Sequence, residues 1–453
     1  MAFDRGLARI VLAEAWDSLD LRTTGTIFCA DIKSISIDIW QCVVRRKHAA
    51  TPPCEWWCFT FPPLPAGSLM STGDTLLLVT TSYPRWNNGR EAAGSFVADL
   101  AAALSEHVHV RVVAPGDASI VEQVSQRLTI YRYAAPQRRL VNLRIWNPLD
   151  ALRILGTLRE GAAATRRATD DGRVFHMMAL WALPSGAWAR RIQRKRGIPY
   201  SVWMLGSDVW LLGRLPVVRT ILRQVMRDSA RRFADGLKLA EDSKRICDLD
   251  VGFLPSTRRL DTIEFPPPAE APPYRLVFIG RWHHHKGIDV LLDALAMLGD
   301  EDWQRIAEVR VYGGGPLASV VSEKSGVLRA AGRPVEVGGF IPKHEAEQAI
   351  IRADYLVIPS RIESIPVVFS DAMKLGRPVI STPIGDLPEL FARHACGVLA
   401  HDVSAEGLCR ALQGALSVSP RQFEEGIRSQ AASFDLDAIS LEILREAKSA
   451  HSA

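Results

Sequence analysis

The 453-residue chain has no run of 18 apolar residues, so a membrane-spanning helix is not expected from it. Its first 20 residues, MAFDRGLARIVLAEAWDSLD, carry Asp and Glu through their apolar part, which argues against a secretory leader. Cysteine is scarce: seven residues, an odd number without framework spacing, which points to reduced thiols in a cytosolic protein and not to a disulfide scaffold. No G-x-G-x-x-G follows the first strand-like segment, which disfavours an NAD or FAD enzyme. No recognition motif accompanies the scattered arginines, so no nucleic-acid partner is expected. With 47% hydrophobic and 23% charged residues the chain is globular, and its length fits two or three domains.

What is present is unevenly distributed. Lys+Arg minus Asp+Glu is 0 over residues 1–70, +10 over 71–250 and −5 over 251–453. A basic middle and an acidic end imply two domains that face different partners. The basic part suits an anionic membrane surface or an acidic substrate, or is simply a solvated basic face. Residues 1–70 hold four of the seven cysteines and four of the twelve tryptophans, and the run TPPCEWWCFTFPPLPAG has no helical or strand period. Cys54 and Cys58 alone are too few for a closed zinc site. The segment is expected to be a poorly ordered extension preceding a domain that starts near Met70.

From residue 75 strands and helices alternate. TLLLVTT (75–81) is a short apolar run of the kind buried parallel strands show, followed by a helix over 95–107 and a strand over 108–115. Ser185 to Arg196 reads as a basic amphipathic helix, 199–208 as a strand ending in a loop, and 217–247 as helical. FPPPAEAPP (265–273) holds five prolines in nine residues and reads as a stiff linker. The alternation then restarts. Strands are expected at 274–282, 308–315, 335–340, 355–360 and 377–382, and helices at 287–299, 344–353 and 365–376. A helical segment at 404–448 would cap the second domain or return to the first. The fold class is therefore α/β, with two Rossmann-like doubly wound domains (71–264 and 274–453) facing each other across a cleft.

In such sheets ligands sit beyond the carboxyl ends of strands. In GRWHHHKG (280–287), Arg281 and Lys286 can reach a diphosphate at the start of the following helix, or are ordinary surface charges. His283, His284 and His285 are adjacent and cannot easily converge on one ion, so they are read as solvated and no metal is expected. Gly313 to Gly315 let a backbone approach a ligand closely, or simply make a turn. In SRIESIPVVFSDAMKLG, Glu363 follows a strand and Asp371 follows it by eight residues, two helical turns that would place both carboxylates on one face to accept bonds from sugar or ribose hydroxyls. The alternatives are a helix cap for Glu363 and a solvated charge for Asp371. TPIGDLPEL, with Gly385 and Glu389, is ordinary punctuation. In the first domain Gly89 and Gly94 follow the first strand, Asp208 ends LGSD facing the cleft, and His176 is a core group or a catalyst.

Together these residues resemble the retaining glycosyltransferases of family 4 (glycosyltransferase group 1), which have the GT-B fold. GRW-HHH-KG is similar to the family's G-R-x-x-x-x-K-G loop, RVYGGGPL to its glycine-proline turn, ESIPVVFSDAM to its E-x7-E signature and IPYSVWMLGSD to its acceptor-domain strand. The resemblance covers about 74–448 and is strongest over 274–390. Leu205 and HMMALW stand where the family has histidines, and FLPSTRRLD replaces its N-G-V-D-like turn.

The resemblance implies that Arg281 and Lys286 hold a donor diphosphate, that Glu363 touches the donor sugar, that Asp371 stands at the ribose position and that His176 takes part in catalysis. It places Gly280, Gly314, Pro316, Ser364, Ile365 and Pro366 around the donor, and Gly94 and Asp208 on the acceptor side. It implies metal-independent transfer of a sugar from a nucleotide-diphosphate donor, as co-substrate with no further cofactor, to a glycan or lipid-linked acceptor in polysaccharide or glycolipid synthesis. The expected place is the cytoplasm, at the inner membrane face. The rival readings are a nucleotide-sugar epimerase of the same fold and a non-catalytic nucleotide-sugar-binding relative.

Overall fold

The computed structural model describes residues 74–85, 94–136, 147–261 and 264–452. The expected N-terminal extension (1–70), Met70 and Gly89 lie outside the described residues.

Eight strands form the first sheet: β1 (Thr75–Val79), β2 (His109–Gly116), β3 (Val121–Gln123), β4 (Leu128–Ala134), β5 (Val174–Leu180), β6 (Tyr200–Met204), β7 (Arg231–Ala234) and β8 (Gly252–Phe253). Their order is β3-β4-β2-β1-β5-β6-β7-β8, parallel throughout except for the antiparallel β3–β4 edge pair. Six strands form the second: β9 (Tyr274–Arg281), β10 (Ile306–Gly314), β11 (Val335–Val337), β12 (Tyr355–Ile358), β13 (Val379–Ser381) and β14 (Gly397–Leu399), in the order β11-β10-β9-β12-β13-β14. Strand order reverses beside β1 in one sheet and beside β9 in the other. At such a point the loops leaving the carboxyl ends diverge to opposite faces and open a crevice.

The apolar runs of the sequence become these strands because helices cover both faces of each sheet. Along β1 alternate residues enter different cores. Leu77 and Val79 pack with Met177, Trp188 and Val202, whereas Leu76 and Leu78 pack with Leu100, Val112 and Trp203. The second face is completed from far along the chain: Leu436, Ile439, Ile443 and Leu444 of the C-terminal helix Leu436–Ser452 join it. Arg231 Nε donates to Glu446 Oε2 at 2.6 Å, tying that helix to β7. The segment therefore returns to the first sheet, one of the two destinations the sequence allowed.

Two expectations change. Residues 217–247 are not one helical stretch. Helix Pro216–Asp228 stops where Ser229 turns extended, β7 runs with Phe233 and Ala234 buried, and helix Leu237–Cys247 starts after Gly236. Residues 404–448 divide into helices Ala405–Leu416, Glu424–Ala431 and Leu436–Ser452. The proline-rich stretch lies fastened to the second sheet's body: Arg377 Nη2 donates to Pro266 O at 2.6 Å, and Ala269 N donates to Asp354 Oδ1 at 2.7 Å. Near this crossing Thr257 Oγ1 donates to Phe434 O at 3.0 Å, so the outgoing and returning chain segments run side by side.

Candidate functional site at the carboxyl ends of the second sheet

The loops leaving β9 and β12, the two strands that flank the reversal of strand order, are locked together. Gly287 has φ +67°, and a Cβ there would lie 1.8 Å from Pro359 O, so only glycine lets the loops meet. Arg361 then clamps the junction. Its guanidinium donates to both oxygens of Asp289 at 2.8 Å and to His284 O at 2.8 Å, while its backbone N–H donates to His285 O at 2.8 Å. Burial would raise the Asp289 pKa, but the Arg361 bond and charge outweigh it and the net shift is downward.

On this platform Lys286 Nζ pairs with Glu363 Oε1, both side chains a quarter exposed or less. Arg281 ends β9, in register with Gly314 of β10, and is exposed. Desolvation lowers the His285 pKa, and the ring also feels His284, Glu363, Arg281 and Arg361, which places these charges around one loop. The glycine turn fits flush beneath: a Cβ on Gly313 would sit 1.9 Å from Gly280 O, and one on Gly315 2.7 Å from Trp282 O. Gly280 and Gly314 thus belong to the packed junction of the β9 and β10 ends, and Pro316 follows it, exposed. An exposed cation, a cation–carboxylate pair and close backbone can together hold a diphosphate and a hydroxylated group.

The next turn reaches the first domain. Ser364 Oγ donates to Asp235 Oδ1 at 2.5 Å and accepts from Ile365 N at 2.7 Å, with Asp235 at the carboxyl end of β7. Asp386 accepts from Leu237 N at 2.5 Å and from Lys238 N at 3.0 Å, capping a first-domain helix from the second domain. Burial raises the Asp386 pKa, partly offset by those two bonds. Gly385, at φ +52°, lies directly on the carbonyls of Glu363 and Ser364.

Other expected residues fall elsewhere. Glu363 and Asp371 do not share a helical face, because the helix begins only at Val367 after Pro366. Glu363 does not cap that helix, and Asp371 is not a solvated charge: it is 1% exposed and paired with Arg258 at 2.6 Å. His176 is not in the cleft. It sits near the amino end of β5 in register with Leu76, 1% exposed, with Nε2 2.8 Å from Ser201 Oγ, and desolvation lowers its pKa to about 3. It is a neutral core group. Asp208 does not face the cleft; its Oδ2 accepts from Ala182 N at 2.7 Å and its Oδ1 from Val209 N at 3.2 Å, joining the loops after β5 and β6. Burial raises its pKa to about 6 against those bonds. Gly94, φ +78°, packs against the backbone of Ser82 and Tyr83 after β1. Ile365 is buried beside Ser364.

The sequence did not single out Arg361, Asp289, Asp235, Asp386 or Arg258. The R-x-E order of Arg361 and Glu363 after a strand was the available signal for the first. A cavity of about 670 Å³ opens at the opposite, amino-terminal edge of the second sheet, between Pro266 to Ala269 and Arg275, Arg377 and Arg421. It is remote from Lys286 and Glu363.

Residues 273–417 match the family model described as "Glycosyl transferases group 1". The chain is 27% identical over 245 residues to the putative teichuronic acid biosynthesis glycosyltransferase TuaC of Bacillus subtilis, an alignment covering 52% of this chain and 59% of that protein. Among solved structures it is similar to sucrose-phosphate synthase from Thermosynechococcus elongatus (TM-score 0.62, 16% identity, 82% of this chain and 98% of that one). It is also similar to Anabaena HepE in complex with UDP (TM-score 0.59, 14% identity, 83% and 100%). At these identities the structural likeness shows the fold: two facing Rossmann-like domains, the GT-B architecture.

Proposed function

We propose that this chain is a retaining, metal-independent glycosyltransferase that moves a sugar from a nucleotide-diphosphate donor to a hydroxyl of a glycan or lipid-linked acceptor. The observation that carries the reading is the Lys286–Glu363 pair, held by Arg361 and Asp289 at the point where the second sheet's strand order reverses. The family match over 273–417 and the UDP in the HepE structure support it.

The chemistry follows from charge. Breaking the anomeric C–O bond leaves positive character on the sugar and negative charge on the departing diphosphate. Arg281 and Lys286 supply fixed cations for that growing negative charge, which therefore gains more in the transition state than in the ground state. Taking Lys286 onto the diphosphate frees Glu363 for a sugar hydroxyl. The acceptor oxygen bonds to the anomeric carbon on the face the diphosphate leaves, and its proton passes to a donor phosphate oxygen. Water is kept out by the two domains meeting through Asp235, Ser364 and Asp386.

A role in cell-surface polysaccharide or glycolipid synthesis is proposed from the likeness to TuaC, a putative teichuronic acid biosynthesis glycosyltransferase. Contact with an anionic inner membrane face is proposed from the net +10 of residues 71–250. Leu211, Leu215 and Val217, 45–58% exposed beside Arg214 and Arg219, supply an apolar and basic edge for it. Nucleotide release from a panel of nucleotide sugars tests the reaction. Glu363→Ala and Lys286→Ala are expected to lower it by about 10²–10³, and release equal to wild type in both variants contradicts the site. Flotation with anionic vesicles tests the membrane contact, and indifference to lipid charge contradicts it.

A further inference from the structure

Asp235 directly follows β7 inside the contact between the two domains and is 7% exposed. Among the described residues its carboxyl oxygens hydrogen-bond to hydroxyl groups. Ser364 of the loop after β12 donates to Oδ1 at 2.5 Å, and Ser256 Oγ lies 3.5 Å from Oδ2. The charged groups that act on it most are Asp208 in the turn after β6, Asp386 before helix Leu387–His394, and Glu363, which is itself paired with Lys286. Gly236 beside it leaves no slack, since a Cβ there would lie 2.6 Å from Asp386 and 2.9 Å from Ser364 Oγ. A buried carboxylate that, among the described residues, has no ion pair and has three other acids near it is far costlier than a neutral carboxyl group. Ser364, its partner, directly follows Glu363.

We propose that Asp235 is a positioning residue that holds the Glu363–Ser364 loop against the first domain as a neutral acid, so that bringing the domains together takes up one proton and parting them releases it. The importance of the loop rests on the transferase reading; the proton-linked contact does not. The step balances: Asp235 carboxylate plus a solvent proton gives the carboxyl group, whose Oδ1 accepts from Ser364 and whose Oδ2 can donate to Ser256.

Burial, with the neighbouring acids adding to it against the Ser364 bond, raises the Asp235 pKa from 3.8 to about 8. A group whose pKa is raised in the joined state supports that state fully below its ordinary value. The support is lost as pH rises toward the raised one. The ratio of joined to parted molecules therefore falls with pH up to about 8, by up to about tenfold per pH unit. Asp208, raised to about 6, bonds only within the first domain, and Asp386 contributes the same sign of shift. Asp386 lies across the same contact and shifts in the same direction, so the Asp235→Asn variant is what assigns the slope to Asp235.

The Leu237 and Lys238 amides donate across the contact to Asp386, so their hydrogen exchange reports parting directly. The experiment follows protection at these amides, corrected for intrinsic rates, from pH 5 to 9 in the full chain without ligand. Wild type is expected to lose protection steeply between pH 6.5 and 8. Asp235→Asn, which keeps an acceptor for Ser364 but cannot titrate, is expected to lose that slope and keep its protection. Ser364→Ala is expected to show low protection at every pH. A wild type flat over that range, an Asp235→Asn protein with the wild-type slope, or a Ser364→Ala protein protected like wild type would each overturn the proposal. No nucleotide enters the measurement, so its failure leaves the transferase reading standing, and failure of that reading leaves this result intact.

Discussion

Asp371 can be tested by unpicking its partner. Arg258 Nε and Nη2 both donate to Asp371 Oδ2, at 2.8 and 2.6 Å, with Asp371 1% exposed and the Arg258 side chain 12%. Desolvation opposes the Arg258 charge, yet its pKa is raised because Asp371 faces it. Removing one member strands the other in a place water does not reach, a loss of about 3–5 kcal/mol. Arg258→Met is expected at the lower end, because Lys374 also acts on Asp371. Arg258→Met with Asp371→Leu replaces the pair by apolar bulk and is expected to recover most of the loss. Urea unfolding of the two single variants and the double variant gives the coupling. UDP affinity, read in parallel, is expected to stay within about twofold of wild type, well under the tenfold that 1.4 kcal/mol represents. The reasoning fails if the single variants cost less than about 1 kcal/mol, as an exposed pair would. It fails equally if Asp371→Leu abolishes UDP binding while stability holds, which would return Asp371 to the ribose.

Three further outcomes follow. Arg361→Lys keeps the charge but loses the two-pronged grip on Asp289, and calorimetry is expected to show nucleoside diphosphate affinity reduced about tenfold or more; unchanged affinity would deny the clamp. Ile443→Ala, at a position 2% exposed under the first sheet, is expected to cost about 2–5 kcal/mol in denaturant unfolding, whereas a loss below 0.5 kcal/mol would mean the C-terminal helix is not docked there. His176 has its pKa lowered to about 3, so its contribution favours folding above its ordinary 6.5 and is lost as pH falls, at up to about 1.4 kcal/mol per unit. His176→Gln should show a shallower acid loss of stability and an unaltered activity profile near neutrality; a lost alkaline or neutral limb of activity would restore a catalytic role.

Much of the strand framework was legible because strands covered on both faces read as continuous apolar runs, as TLLLV does. The loops at their carboxyl ends were legible because glycine and charge interrupt those runs, which is how Lys286 and Glu363 were found. The edge hairpin β3–β4 was not, since its exposed β3 carries no apolar period. The shared face of Glu363 and Asp371 failed on one residue: Pro366 delays the helix, so the eight-residue spacing does not describe two turns. Asp235, Asp386 and Arg258 were invisible for a different reason. Their partners lie 129, 148–149 and 113 residues away, and only the meeting of two domains gives them meaning.

Calorimetric titration of nucleoside diphosphates into wild type and Lys286→Ala asks most directly whether the loops after β9 and β12 form a diphosphate site. The account predicts that one of these ligands binds wild type and that its affinity falls at least about tenfold, 1.4 kcal/mol, in the variant. Equal binding to both proteins, or saturable binding to neither, would contradict it.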